Sequence, residues 1–61
     1  MYAHAFKARA ADRKQGFRYE MTLTKGGDLS KRDERLMTLR CRDMAHVRRL
    51  AAACAAKPHN F

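Results

Sequence analysis

From Phe17 to Thr24 the chain alternates strictly: Phe17, Tyr19, Met21 and Leu23 are large and apolar, while Arg18, Glu20, Thr22 and Thr24 are polar. Successive side chains of a β-strand point to opposite faces, so this pattern predicts a strand over 17–24 with one face in a core. A weaker alternation over 2–10 puts Tyr2, His4, Phe6 and Ala8 on one face and Ala3, Ala5, Lys7 and Arg9 on the other. It predicts a first strand, with the aromatic side inward. Alternation returns over 35–42, where Met37, Leu39 and Cys41 oppose Leu36, Thr38, Arg40 and Arg42. Between these runs lie ADRKQG, a polar connection closed by Gly16, and KGGDLSKRDE, a long charged hairpin loop. Gly16 suits the last position of a tight connection, where φ is positive.

The period changes after Arg42. Met44, Val47, Leu50, Ala51 and Cys54 recur at spacings of three and four, which makes one apolar stripe on a helix over 44–57. Asp43 is placed to cap its first turn, and Pro58 stops it, leaving 58–61 as a tail. A meander with one apolar face and a helix with one apolar stripe each need a partner, and packing one on the other satisfies both. The expectation is an α+β domain, β-β-β-α: a three-stranded antiparallel sheet with a single C-terminal helix on one face. Its predicted core is Phe6, Phe17, Tyr19, Met21, Leu23, Met37, Leu39, Cys41, Met44, Val47, Leu50 and Cys54.

The other sheet face would be open, carrying Lys7 and Arg9, then Arg18, Glu20, Thr22 and Thr24, then Thr38, Arg40 and Arg42. Charge changes the meaning of that face. The 61 residues include 14 Lys and Arg against 6 Asp and Glu, a formal +8. A field of that sign attracts polyanions. A β-ribbon fits the major groove of B-DNA, Arg can bond guanine bidentately, and Thr can donate to phosphate. Lys7, Arg9, Arg18, Thr22, Arg40 and Arg42 are therefore the candidate nucleic-acid contacts, duplex DNA ahead of RNA. His46, Arg48 and Arg49, off the helix stripe, form a secondary basic cluster. The bland alternative is a wet sheet face, since Thr and charges suit strands and water equally.

Other chemistry finds less footing. Cys41, His46, Cys54 and His59 follow a C-x4-H-x7-C-x4-H spacing with no C-x2-C step, unlike the usual zinc modules, so no metal and no cofactor is expected. Neither cysteine has a base and an orienting group beside it in sequence, and Gly26-Gly27 precedes no helix, so an enzyme is not expected. No run approaches the length of a membrane span, and MYAHAFKARA lacks the pattern of a signal peptide. The expected compartment is the cytoplasm, with both thiols reduced.

Gly16-Phe17-Arg18-Tyr19, together with Leu39, Cys41 and Ala45 at their spacing, resembles the N-terminal arm-binding domains of phage and transposon integrases and the related AP2-type domains. Cys41 stands where those families carry Thr. The resemblance covers residues 2 to about 56 and implies three antiparallel strands, one helix and a sheet face laid in the major groove. It implies DNA-facing roles for Lys7, Arg9, Arg18, Glu20, Thr22, Arg40 and Arg42, and a place as an accessory or regulatory factor of a phage or mobile element. The competing expectation is a small inhibitor or adaptor, of the size and simplicity of anti-CRISPR proteins, that binds an acidic protein surface. Strands one and three would both be sheet edges, and pairing of edges could make a homodimer.

Overall fold

The computed structural model describes all residues, 1–61. The chain runs β1 (Tyr2–Lys7), α1 (Ala10–Lys14), β2 (Tyr19–Thr24), a 3₁₀ turn (Arg32–Glu34), β3 (Arg35–Cys41), α2 (Met44–Ala53) and β4 (Lys57–Pro58). A sheet plus a helix, class α+β, is what the sequence predicts. The finer expectation needs correction: the sheet has four strands, not three, and is mixed, and there are two helices, not one. Strand order is β3-β2-β1-β4, with β1–β2 and β2–β3 antiparallel and β1–β4 parallel. The chain leaves β3, crosses under the sheet as α2, and returns at the far edge.

Register assigns the faces. Ala3, Leu23 and Met37 stand opposite one another, as do Ala5, Met21 and Leu39, and Lys7, Tyr19 and Cys41. This is the side that α2 covers, where Ala3, Met21, Leu23 and Cys41 bury against Val47, Ala51 and Ala56. Strand β1 therefore has the opposite phase to the one expected. Tyr2, His4 and Phe6 belong to the outer face, and the small Ala3 and Ala5 to the inner one. Hydrophobicity alone favours the aromatics as core, but the pairing register with β2 sets Ala3 and Ala5 beside Leu23 and Met21 on the α2 side and turns the aromatics to the face that the tail and the β2–β3 loop cover. Phe6 and Met37, both expected inside, are 39% and 51% exposed.

Local chemistry explains the boundaries. Asp43 caps α2, its Oδ1 accepting from the His46 amide at 2.8 Å, while the His46 Nδ1 accepts from the Arg42 amide at 3.1 Å. The helix ends at Ala53, four residues short of the expected limit, because the chain turns at Ala55 with φ 53°. The Ala56 amide bonds the Ala51 carbonyl and the Ala55 amide the Ala52 carbonyl, which is a Schellman closure with alanine where glycine is usual. Left-handed alanine costs about 1 kcal/mol, and the turn delivers Lys57 to β1. The tail then follows β1. The Lys57 amide bonds the Met1 carbonyl, the His59 amide bonds the Ala3 carbonyl, and Asn60 both accepts from and donates to the Ala5 backbone. Phe61 packs against the core. ADRK is helical rather than a plain loop, and Gly16 at its end has the expected positive φ, 94°.

The outer face holds a second buried cluster. His4, 2% exposed, packs against His59 with ring centroids 4.5 Å apart and the rings inclined by 43°, and its Nε2 lies 3.0 Å from the Thr24 hydroxyl oxygen. Thr24 gives its single proton to the Gly26 carbonyl. The His4 Nε2 is therefore the donor to Thr24. Burial lowers the His4 pKa, and the neighbouring His59 lowers it further. A histidine whose folded-state pKa lies below its unfolded value contributes fully above about pH 6.5, and loses that contribution as pH falls through the folded value. The melting temperature should fall between pH 7.5 and 5, and His4→Gln, which can still donate to Thr24, should flatten the fall. An equally steep decline in the variant would place the sensitivity on another group. No helix of the chain is long and apolar enough to cross a membrane.

Candidate nucleic-acid interface

The meander brings the end of β1, the start of β2 and the end of β3 together, with α1 bridging the first two. Half of the fourteen cations collect there: Lys7, Arg9, Arg13, Lys14, Arg18, Arg40 and Arg42. All seven are exposed, and only Arg40 is ion-paired, its Nε lying 3.1 Å from Asp12 Oδ1. Phe17, expected in the core, precedes β2 and lies half-buried at the concavity, with the Arg42 Cζ 5.5 Å from its ring centroid. The three acidic residues nearby are Asp12, taken by Arg40, Asp43, taken by the α2 cap, and Glu20.

The candidate contacts named from sequence divide on inspection. Arg9, Arg18, Arg40 and Arg42 do come together at this end of the sheet. Lys7 is exposed beside them but belongs by register to the α2 side, opposite Tyr19, and not to the outer face. Thr22 is buried and its hydroxyl is 3.2 Å from that of Thr38, so it serves the sheet rather than a surface; Thr24 is fully buried. His46 is half-buried and engaged in the α2 cap, whereas Arg48 and Arg49 are exposed on α2, beneath the sheet. Cys41 is buried and Cys54 half-buried, both as free thiols. Burial raises the Cys41 thiol pKa, so it holds the unreactive protonated form.

The outer face is not the flat open surface that strand periodicity suggests. Asp12 of α1 reaches onto it at one end. The β2–β3 loop and the tail cover it at the other, where the Gly27 backbone approaches the His59 ring. What is left is a concavity of about 720 Å³ whose floor is Glu20, Thr22, Thr38 and Arg40, with Arg9 on the α1 side and Arg35 on the loop side. Arg35 is steadied by two bonds, from Nε and Nη2, to the Leu29 carbonyl. Sequence reasoning passed over Arg13, Lys14 and Arg35, because it placed the first two in a plain connection and the third at a strand end. The basic residues of ADRKQG were themselves the signal. No family model, curated protein or solved structure matches the chain.

Proposed function

We propose that this chain is a small basic nucleic-acid-binding protein, and that it engages phosphates chiefly with the cationic end of its sheet. One observation carries the reading: seven cations share that end, and a single carboxylate pairs with any of them. Uncompensated clustered charge is the footprint of phosphate binding, because each neutralised phosphate releases counterions. The resemblance to arm-binding domains supports an accessory or regulatory role in a phage or mobile element.

Titration of labelled duplex and single-stranded DNA at 50 and 200 mM salt tests the proposal. With about four phosphates engaged, the affinity for duplex should fall roughly 100-fold between the two salts. Reversing Arg40 would strand Asp12, so Arg18→Glu with Arg42→Glu is the informative variant. It should bind at least about tenfold more weakly and reduce the salt slope by about 2. Affinity weaker than ~10⁻⁴ M at low salt removes the proposal, being poorer than ordinary non-specific binding.

A second reading, an inhibitor or adaptor of an acidic protein, is favoured by one feature. The tail covers the outer edge of β1, so β3 is the one long free edge of the sheet. Leu36 and Met37 on it are 47% and 51% exposed. An edge strand presents unpaired backbone donors and acceptors to an incoming strand. A second copy could add there to form a homodimer, although two chains of +8 repel. Failure to bind DNA, with one protein retained from a nuclease-treated lysate, would favour this reading.

A further inference from the structure

The concavity contains a group that phosphate binding does not explain. Glu20 is half-buried in its floor and makes no hydrogen bond or ion pair within the chain. Its cross-strand partner is Arg40, on the same face of the sheet, yet the Arg40 guanidinium is turned to Asp12 instead. An ionised carboxylate is an acceptor only. Among arginines, in a site for phosphate alone, it would repel the ligand.

Resting on the nucleic-acid reading, we propose that this concavity takes one unpaired guanine nucleotide, with Glu20 bonding the base edge and Arg9 or Arg35 the phosphates. Guanine offers a ring N–H and an exocyclic amino group side by side, two parallel donors that match the two oxygens of a carboxylate. Adenine and cytosine each offer one amino group beside a ring nitrogen that a carboxylate repels, and thymine offers a ring N–H between two carbonyls. The volume, about 720 Å³, lies within the range of small-ligand sites. Arg35 keeps its Nη1 donors free, because Nε and Nη2 are held by Leu29. The exposed Thr38 hydroxyl, 3.2 Å from that of buried Thr22, adds an adaptable donor and acceptor to the floor.

A recessed floor favours an unpaired base over a duplex. Entry into a major groove about 12 Å wide requires an element that protrudes. Here the floor is recessed between Arg9 and Asp12 at the α1 end and Arg35 at the start of β3, and a base swung out of a single strand can come to it.

Fluorescence anisotropy with nine-residue thymine strands tests this, one strand carrying guanine at its centre and others cytosine or adenine. Guanine should be preferred over thymine by about tenfold, with cytosine and adenine close to thymine. Glu20→Gln should bring the preference below about twofold while binding of the all-thymine strand stays or improves, which shows the variant folded and still phosphate-competent. Equal affinity for all four strands in the native protein, or a preference that survives Glu20→Gln, overturns the guanine assignment and leaves the nucleic-acid reading intact. Absence of binding to every strand and to duplex removes both. Calorimetry with guanosine monophosphate separates the sources: binding as tight as the guanine strand's assigns the concavity to the free nucleotide, and weaker binding to the polymer.

Discussion

Met21→Ala is expected to lower the melting temperature by roughly 10–30 °C, enough to leave much of the population unfolded at 37 °C. Met21 is fully buried at the centre of β2, facing Ala5 and Leu39 across the sheet with α2 beneath. Truncating a buried methionine costs about 2–5 kcal/mol, from lost transfer free energy and the cavity left behind. A domain of 61 residues has only about 3–9 kcal/mol to lose, and each kcal/mol moves the midpoint by about 4–8 °C in a chain this short. Met37→Ala makes the control. It stands on the same face of the sheet, opposite Leu23, but beyond the reach of α2 and half exposed. Its cost should be under about 1 kcal/mol. Thermal melts by circular dichroism would decide, and similar losses in the two variants would contradict the placement of α2 on the sheet.

Removing residues 57–61 should be as damaging by a different route. The deletion takes away two backbone bonds to Met1 and Ala3, both Asn60 bonds to Ala5, the His59 ring from His4, and Phe61 from the core. Hydrogen bonds contribute about 0.5–1.5 kcal/mol each, so the four alone amount to roughly 2–6 kcal/mol. The edge of β1 would also be bared, giving the sheet two free edges in place of one. Light scattering should therefore report association in the shortened chain before its melt begins. A midpoint within about 4 °C of the full chain, with no rise in scattering, would show that the tail is not part of the cooperative unit.

Much of this arrangement was legible in the sequence, and the losses have definable causes. Strand β2 was readable because its two faces differ so sharply, and α2 because Asp43 and the three-four spacing agree. Strand β3 followed once its alternation met the same core. In β1 the larger residues lie on the side that the tail and loop cover, a second layer that no local pattern announces, so its phase was inverted. Helix α1 has five residues, too few for a 3.6-residue period to register. β4 consists of Lys57 and Pro58 only and exists because Tyr2 and Ala3 pair with it, not because of its own propensity. For the candidate site, Arg9, Arg18, Arg40 and Arg42 were found from alternation and charge. Thr22 was misjudged because period-two reasoning knows which face a residue is on but not what else lies there. Alternation places Glu20 on the basic face, but the concavity around it arises from the approach of Arg9 and Asp12, which no local pattern announces.

The parallel pairing of β4 with β1 also orders events in time. Closing Tyr2 onto Lys57 spans 55 residues, against nine for the Lys25–Glu34 closure of the β2–β3 hairpin. Loop-closure entropy sets these at about 3.5 and 2 kcal/mol, before any constant term. The β1–β2–β3 meander and α2 can therefore form while the tail is still searching, and the last contacts made are the first undone. The native protein should visit a state with a docked helix, a three-stranded sheet and a loose tail, more often than it unfolds. That transient form is, in outline, the β-β-β-α domain that the hydrophobic pattern describes.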